Sequence, residues 1–176
     1  MQASTAATSA AIIPVTTTPT RTTSSSTSFK KPLIALRAPS TIIGNTLSCT
    51  QTYDDDVTPS TASFTINILG ARATVVNVAN NGYLAIGPNP SGARGYQPTS
   101  LSAMASPTPV AHFPFWDDLF FSKGETHGIF YQYEGTSPNQ SLTLEWYGTK
   151  YSQQGIYFAH FLMSFYEALP GWATYS

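Results

Sequence analysis

Carboxylates are few in this chain, so the places where they gather are the first places to look for chemistry. Asp117 and Asp118 stand side by side in "HFPFWDDLFF", the most aromatic stretch of the sequence. Glycoside hydrolysis uses two carboxylates roughly 5 to 9.5 Å apart, flanking the scissile bond. Neighbours in an extended segment point to opposite sides and do not converge on one ligand. The expected role of Asp117 and Asp118 is therefore structural: Asp side chains bonding local backbone N–H groups where the chain bends into its next strand. Phe113, Phe115, Trp116 and Leu119 would anchor that bend in the core. A second run, Asp54, Asp55 and Asp56 in "YDDDVTP", raises the question of calcium. Calcium takes six to eight oxygens from a curved loop of alternating ligands, usually with a Gly at the bend. Three consecutive Asp lack that geometry, and the expectation is a solvated lead-in that protects a strand edge.

The other reactive side chains fare no better. His112, His127 and His160 share no metal spacing, and His160, set among Phe and Leu, reads as a satisfied core histidine. Cys49 is the only cysteine, so no internal disulfide and no cysteine-based zinc site can form; a buried or strand-edge thiol and an intermolecular partner are the two readings. No G-x-S-x-G elbow occurs. Catalytic residues, metal ions and cofactors are all expected to be absent, and the protein is not expected to be an enzyme. Asn139-Gln140-Ser141 is an N-glycosylation sequon in the turn-like stretch "TSPNQS".

Only strands are indicated as the elements that position these groups. Charged residues are 10% of the chain, against about 25% in an average soluble protein, and the net charge is −1. No basic cluster exceeds Lys30-Lys31, which argues against nucleic acid as a partner, and no apolar run is long enough to cross a membrane. Residues 1–31 form a Ser/Thr/Pro tract that buries too little apolar surface to order itself and reads as a disordered linker or glycosylated stalk. Residues 32–52 read as a transition, and 53–176 as the folded domain, with strands beginning at "SFTINIL". Ser63–Leu69 and Ala73–Ala79 are read as the first two strands, and Asn81-Gly82 signals a two-residue hairpin turn with positive φ at both positions. The stretch "PNPSGARGYQPTSLSAMASPTP" is a surface loop.

The segments "HGIFYQYEG", "QSLTLEWYG" and "GIYFAHFLMSFYEA" read as three consecutive strands. Setting Glu134 opposite Ser141 puts Ile129, Tyr131 and Tyr133 opposite Trp146, Leu144 and Leu142, an apolar face throughout. The reverse face is nearly all polar, with Phe130, Gln132 and Glu134 against Glu145, Thr143 and Ser141. In that register Glu134 and Glu145 lie about 13 Å apart, too far to act as a pair. The last of the three strands, apolar on both faces, reads as buried between two layers. With no helical period of useful length, the architecture expected is an all-β antiparallel β-sandwich.

From about Tyr53 to Glu167 the order of motifs, "YDDDVT", "VNVANNGYLAIG", "PFWDDL", "GIFYQYEGTSPNQSLTLEWYG" and "YFAHFLMSFYEALP", resembles a family of extracellular β-sandwich domains of fungal secreted and bacterial surface proteins. More distantly it is similar to the extracellular domain of nidogen. The resemblance implies a non-enzymatic interaction module of an adhesin-like protein at the cell surface, cell wall or matrix, its partner a protein or a glycan. It supports Trp116, Asp117, Asp118, Glu145 and Trp146 as fold markers rather than ligands. Such proteins carry a secretion signal and continue with further strands, so the chain is read as a fragment truncated at its C-terminal end. A carbohydrate-binding module using exposed Tyr and Trp is the alternative, and a glycoside hydrolase the least favoured reading.

Overall fold

Alternating apolar and polar residues fold into strands throughout the computed structural model, which describes residues 33–86 and 110–176. The Ser/Thr/Pro tract and the loop "PNPSGARGYQPTSLSAMASPTP" lie outside the described residues. In chain order the strands are β1 (Ser40–Gly44), β2 (Tyr53–Asp54), β3 (Val57–Ile68), β4 (Ala71–Ala79), β5 (Tyr83–Ile86), β6 (Val110–His112), β7 (Leu119–Phe121), β8 (Gly128–Glu134), β9 (Ser141–Lys150), β10 (Phe158–Tyr166) and β11 (Ala173–Tyr175). They form two antiparallel sheets. The smaller runs β3-β4-β5-β6, and the larger runs β1-β8-β9-β10-β11, with β7 also pairing β9 and carrying β2 on its far side.

The β8/β9 hairpin has the register its face pattern dictates: Ile129 pairs Trp146, Tyr131 pairs Leu144, Tyr133 pairs Leu142 and Glu134 pairs Ser141. β10 continues the same face with Phe161, Met163 and Phe165 opposite Trp146, Leu144 and Leu142. Facing them across the sandwich are Ala62, Phe64, Ile66, Val76, Val78, Leu84 and Ile86 of the smaller sheet, all in one buried cluster. Burying a Leu, Val or Phe side chain contributes about 1.5–3 kcal/mol, which makes this shared face the dominant stabilising contact between the sheets.

Four sequence expectations are corrected. Strands begin well before "SFTINIL": β1 lies in the segment read as a transition and pairs β8, while β3 starts at Val57. No strand was expected in "GWATYS", which supplies β11. The Asn81-Gly82 hairpin exists, but its loop is Asn80, Asn81 and Gly82; Ala79 pairs Tyr83, and only Gly82 has positive φ, at 78°. A Cβ there would lie 1.8 Å from the Phe115 carbonyl oxygen, so the close approach of the two segments demands glycine. Finally, β10 is not enclosed by two layers: its inner face is in the core, while His160, Leu162, Ser164 and Tyr166 on its outer face are half-buried.

Candidate functional site

"HFPFWDDLFF" is where the chain leaves one sheet for the other. His112 ends β6 in the smaller sheet, and Leu119 begins β7 in the larger. Phe113 stacks on Trp116 at 4.7 Å between ring centroids, and both pack against the buried Tyr83. Phe115 lies against Phe161, and Leu119 is fully buried. Aromatic packing thus fixes the crossover, and the two carboxylates diverge from it.

Asp117 turns back on its own segment. Its Oδ1 accepts the Asp118 N–H at 2.8 Å, and its Oδ2 meets Lys150 Nζ at 2.9 Å. That hydrogen bond to Asp117 is what raises the Lys150 ammonium above its ordinary range. Asp118 points the other way, and here the fold adds what spacing did not show. β2 pairs β7, with Tyr53 opposite Phe121 and Asp54 opposite Phe120, which brings the second acidic run beside the first. Asp54, Asp55 and Asp118 each place a carboxylate oxygen within 4.8 Å of the others. Asp55 is held in the left-handed region, φ 55°, and its Oδ1 accepts a hydrogen bond from Asn81 Nδ2 at 2.7 Å.

These carboxylates line an open cleft of about 290 Å³ together with Tyr151, whose N–H donates to the Asp118 carbonyl at 2.8 Å. Desolvation, followed by the repulsion of neighbouring carboxylates, raises the pKa of both Asp54 and Asp118. Asp117 and Asp118 do not converge; the third oxygen beside Asp54 and Asp55 comes instead from Asp118 alone, just before β7. Three side-chain oxygens are fewer than the six to eight a calcium ion takes, so an ion held here would keep several waters. Asp56 takes another role: its N–H donates to Asn80 Oδ1 at 3.0 Å.

Behind the cleft lies a hub that sequence reading missed. Asn80 and Asn81 are both buried; Asn80 Nδ2 donates to the Leu119 carbonyl at 2.9 Å, and Asn81 Oδ1 accepts the Leu119 N–H at 3.0 Å. Two side-chain amides in one hairpin loop thereby satisfy both backbone groups of the residue that starts β7. The signal was present as the doublet "NN", but only its turn propensity was legible.

The other marked residues lie elsewhere. Trp146 is buried, donates Nε1–H to the Ala79 carbonyl at 2.8 Å and stacks on Phe161, tying the two sheets together. Asn139 is exposed in the β8/β9 turn. Cys49 is buried, its Sγ 2.9 Å from the His127 carbonyl oxygen, and burial raises the pKa of the thiol. Glu145 does not face water as its polar hairpin face implied: it is fully buried, with His160 Nε2 2.6 Å from Oε1. His160 is therefore a partner of a buried carboxylate rather than a core residue.

A model of the domain described as NIDO related matches residues 37–169, which run from just before β1 to just beyond β10. The chain belongs to the NIDO-related family. No curated protein and no solved structure matches it. Membership suggests that this NIDO-related domain is an extracellular module. Within it, the "PFWDDL" residues have two separable tasks: the aromatic ones and Asp117 hold the crossover between sheets, and Asp118 contributes to the acidic cleft.

Proposed function

We propose that this NIDO-related domain is a non-enzymatic interaction module of an adhesin-like protein at the cell surface, cell wall or matrix, binding a protein or glycan partner. The observation that carries this reading is the family match, which spans nearly the whole described sandwich. The site geometry agrees with it. Glu145 is committed to hydrogen bonds inside the fold and Asp117 to Lys150.

Glycan recognition is the second reading, and one observation favours it. Tyr151, 47% exposed, stands at the rim of the acidic cleft, so a ring face and several hydrogen-bond acceptors are presented together. The exposed Trp172 and Tyr175 are placed on or beside β11. The test is a glycan-array and matrix-protein screen of the full chain, run with calcium and with chelator, alongside an assay for release of reducing sugar. Saturable binding without turnover is the expected result. Catalytic release of sugar that Asp118→Asn abolishes would overturn the module reading.

A further inference from the structure

On the outer face of the larger sheet, away from the acidic cleft, a buried carboxylate is used in an unusual way. Glu145, in the middle of β9, accepts the N–H groups of two consecutive residues far away in the chain: Ala35 on Oε1 at 2.6 Å and Leu36 on Oε2 at 3.0 Å. His160 Nε2 from β10 closes on the same Oε1 at 2.6 Å. One strand over, on β8, Gln132 Oε1 accepts the Ala38 N–H at 2.9 Å. The segment 33–38, which belongs to no strand, therefore lies across the outer face and is held by side chains of two strands of the sheet, β8 and β9, with His160 of β10 bonded to the same Glu145 carboxylate. Beneath it Glu145 and Phe130 are fully buried. The segment itself is lightly held, with Leu33 85% exposed and Ala35, Arg37 and Ala38 also exposed.

We propose that Glu145 and His160 form a latch that docks residues 33–38 on the outer face as a separable strap, able to open while the sandwich stays folded. Closed, the latch fixes residues 33–38 against β8 and β9. Open, it presents a carboxylate beside an imidazole in a shallow apolar setting of Phe130, Tyr147 and Leu162, suited to an extended peptide that offers two consecutive free N–H groups. A carboxylate is the right receptor for such a pair, because hydrogen bonds from backbone N–H to an ionised acceptor are roughly twice as strong as neutral ones.

The direction of the acid response follows from the same contacts. Burial alone would raise the Glu145 pKa, but the His160 hydrogen bond and the Ala35 and Leu36 N–H groups outweigh it and hold the pKa below the ordinary 4.5. The charged or titratable groups that face the latch include Tyr147 on β9, Glu134 on β8, bonded to Gln132, and Arg37 on the strap, and the uncharged Thr143 and Ser164 bond each other beside it. Opening removes the two N–H donors and lets the Glu145 pKa rise, so the closed form binds fewer protons. The Glu145 contribution to the closed latch is fully present above its open-form pKa and is lost as the pH falls through the lowered one.

Hydrogen exchange of the full chain tests this, read at Leu36 and Ala38 and, separately, at the ladder amides of β8, β9 and β10. Glu145→Gln replaces one acceptor by a donor and should cut strap protection about tenfold or more at pH 7, with the ladder amides unchanged. Ala35→Pro deletes one strap N–H without touching the sheet and should do the same, which keeps the test decisive if Glu145→Gln fails to fold. Strap protection unaltered in a folded variant, or strap and ladder amides losing protection together, would overturn the proposal.

Discussion

Adjacent aspartates in the "PFWDDL" motif respond in opposite senses to the same substitution. Asp117→Asn gives up the contact with Lys150, a pair partly open to solvent, and should lower stability only slightly. Asp118→Asn removes one of three crowded carboxylates, and in chelator it should raise the melting temperature by about 1–3 °C. Differential scanning calorimetry of the two single mutants decides it; equal destabilisation by both would show that Asp118 is as much a structural tie as Asp117. Because the pKa values of Asp54 and Asp118 are raised, their ionisation opposes folding above those values, and that penalty lifts as the pH falls through them. Glu145 acts oppositely, its stabilisation being lost as the pH falls through a lowered pKa. At Gly82 the argument is steric: Gly82→Ala drives a methyl into the Phe115 carbonyl at a positive-φ position and should cost about 3 kcal/mol or more, measured by urea denaturation.

Pairs of elements, more than single ones, carry the information here. The β8/β9 register was legible because a one-residue slip would turn Ile129, Tyr131 and Tyr133 outward, so burial of one face fixes it. The partnership of β2 with β7 was not legible, because β2 is only the two residues Tyr53–Asp54, too short to show alternation. Yet that pairing is what assembles the acidic cleft. The β4/β5 hairpin is intermediate: its turn residues announced it, but loop length depends on what packs against it, and the approach of Phe115 to Gly82 accompanies a three-residue loop with one left-handed glycine. Trp146 joins the elements across the sandwich, and Trp146→Phe should cost about 1–3 kcal/mol because the Ala79 carbonyl loses a buried donor. A measured change below about 0.5 kcal/mol would mean that the Phe161 stacking and burial carry the whole contribution of that side chain.

Among the described residues, two sheets share one buried core, with the acidic cleft beside the β2/β7 pair and the Glu145 contacts on the outer face of the larger sheet. Met163→Ala, at the centre of that core and fully buried, should cost about 2–5 kcal/mol in urea denaturation. Modification at Asn139, exposed in the β8/β9 turn and remote from the core, should leave the melting temperature within about 2 °C; a secreted preparation compared before and after enzymatic deglycosylation checks both the glycan and its neutrality. The sequence by itself determined the class of fold, the inward faces of β8 and β9 and the crossover role of "HFPFWDDLFF", because hydrophobic alternation and aromatic clustering are local properties. Tertiary structure alone decided that Asp118 meets Asp54 and Asp55, that Asn80 and Asn81 satisfy both backbone groups of Leu119, and that Glu145 holds Ala35 and Leu36. Those contacts join residues distant in the chain through hydrogen bonds and charge, which have no period along a sequence and exist only once the sheets have brought their partners within reach.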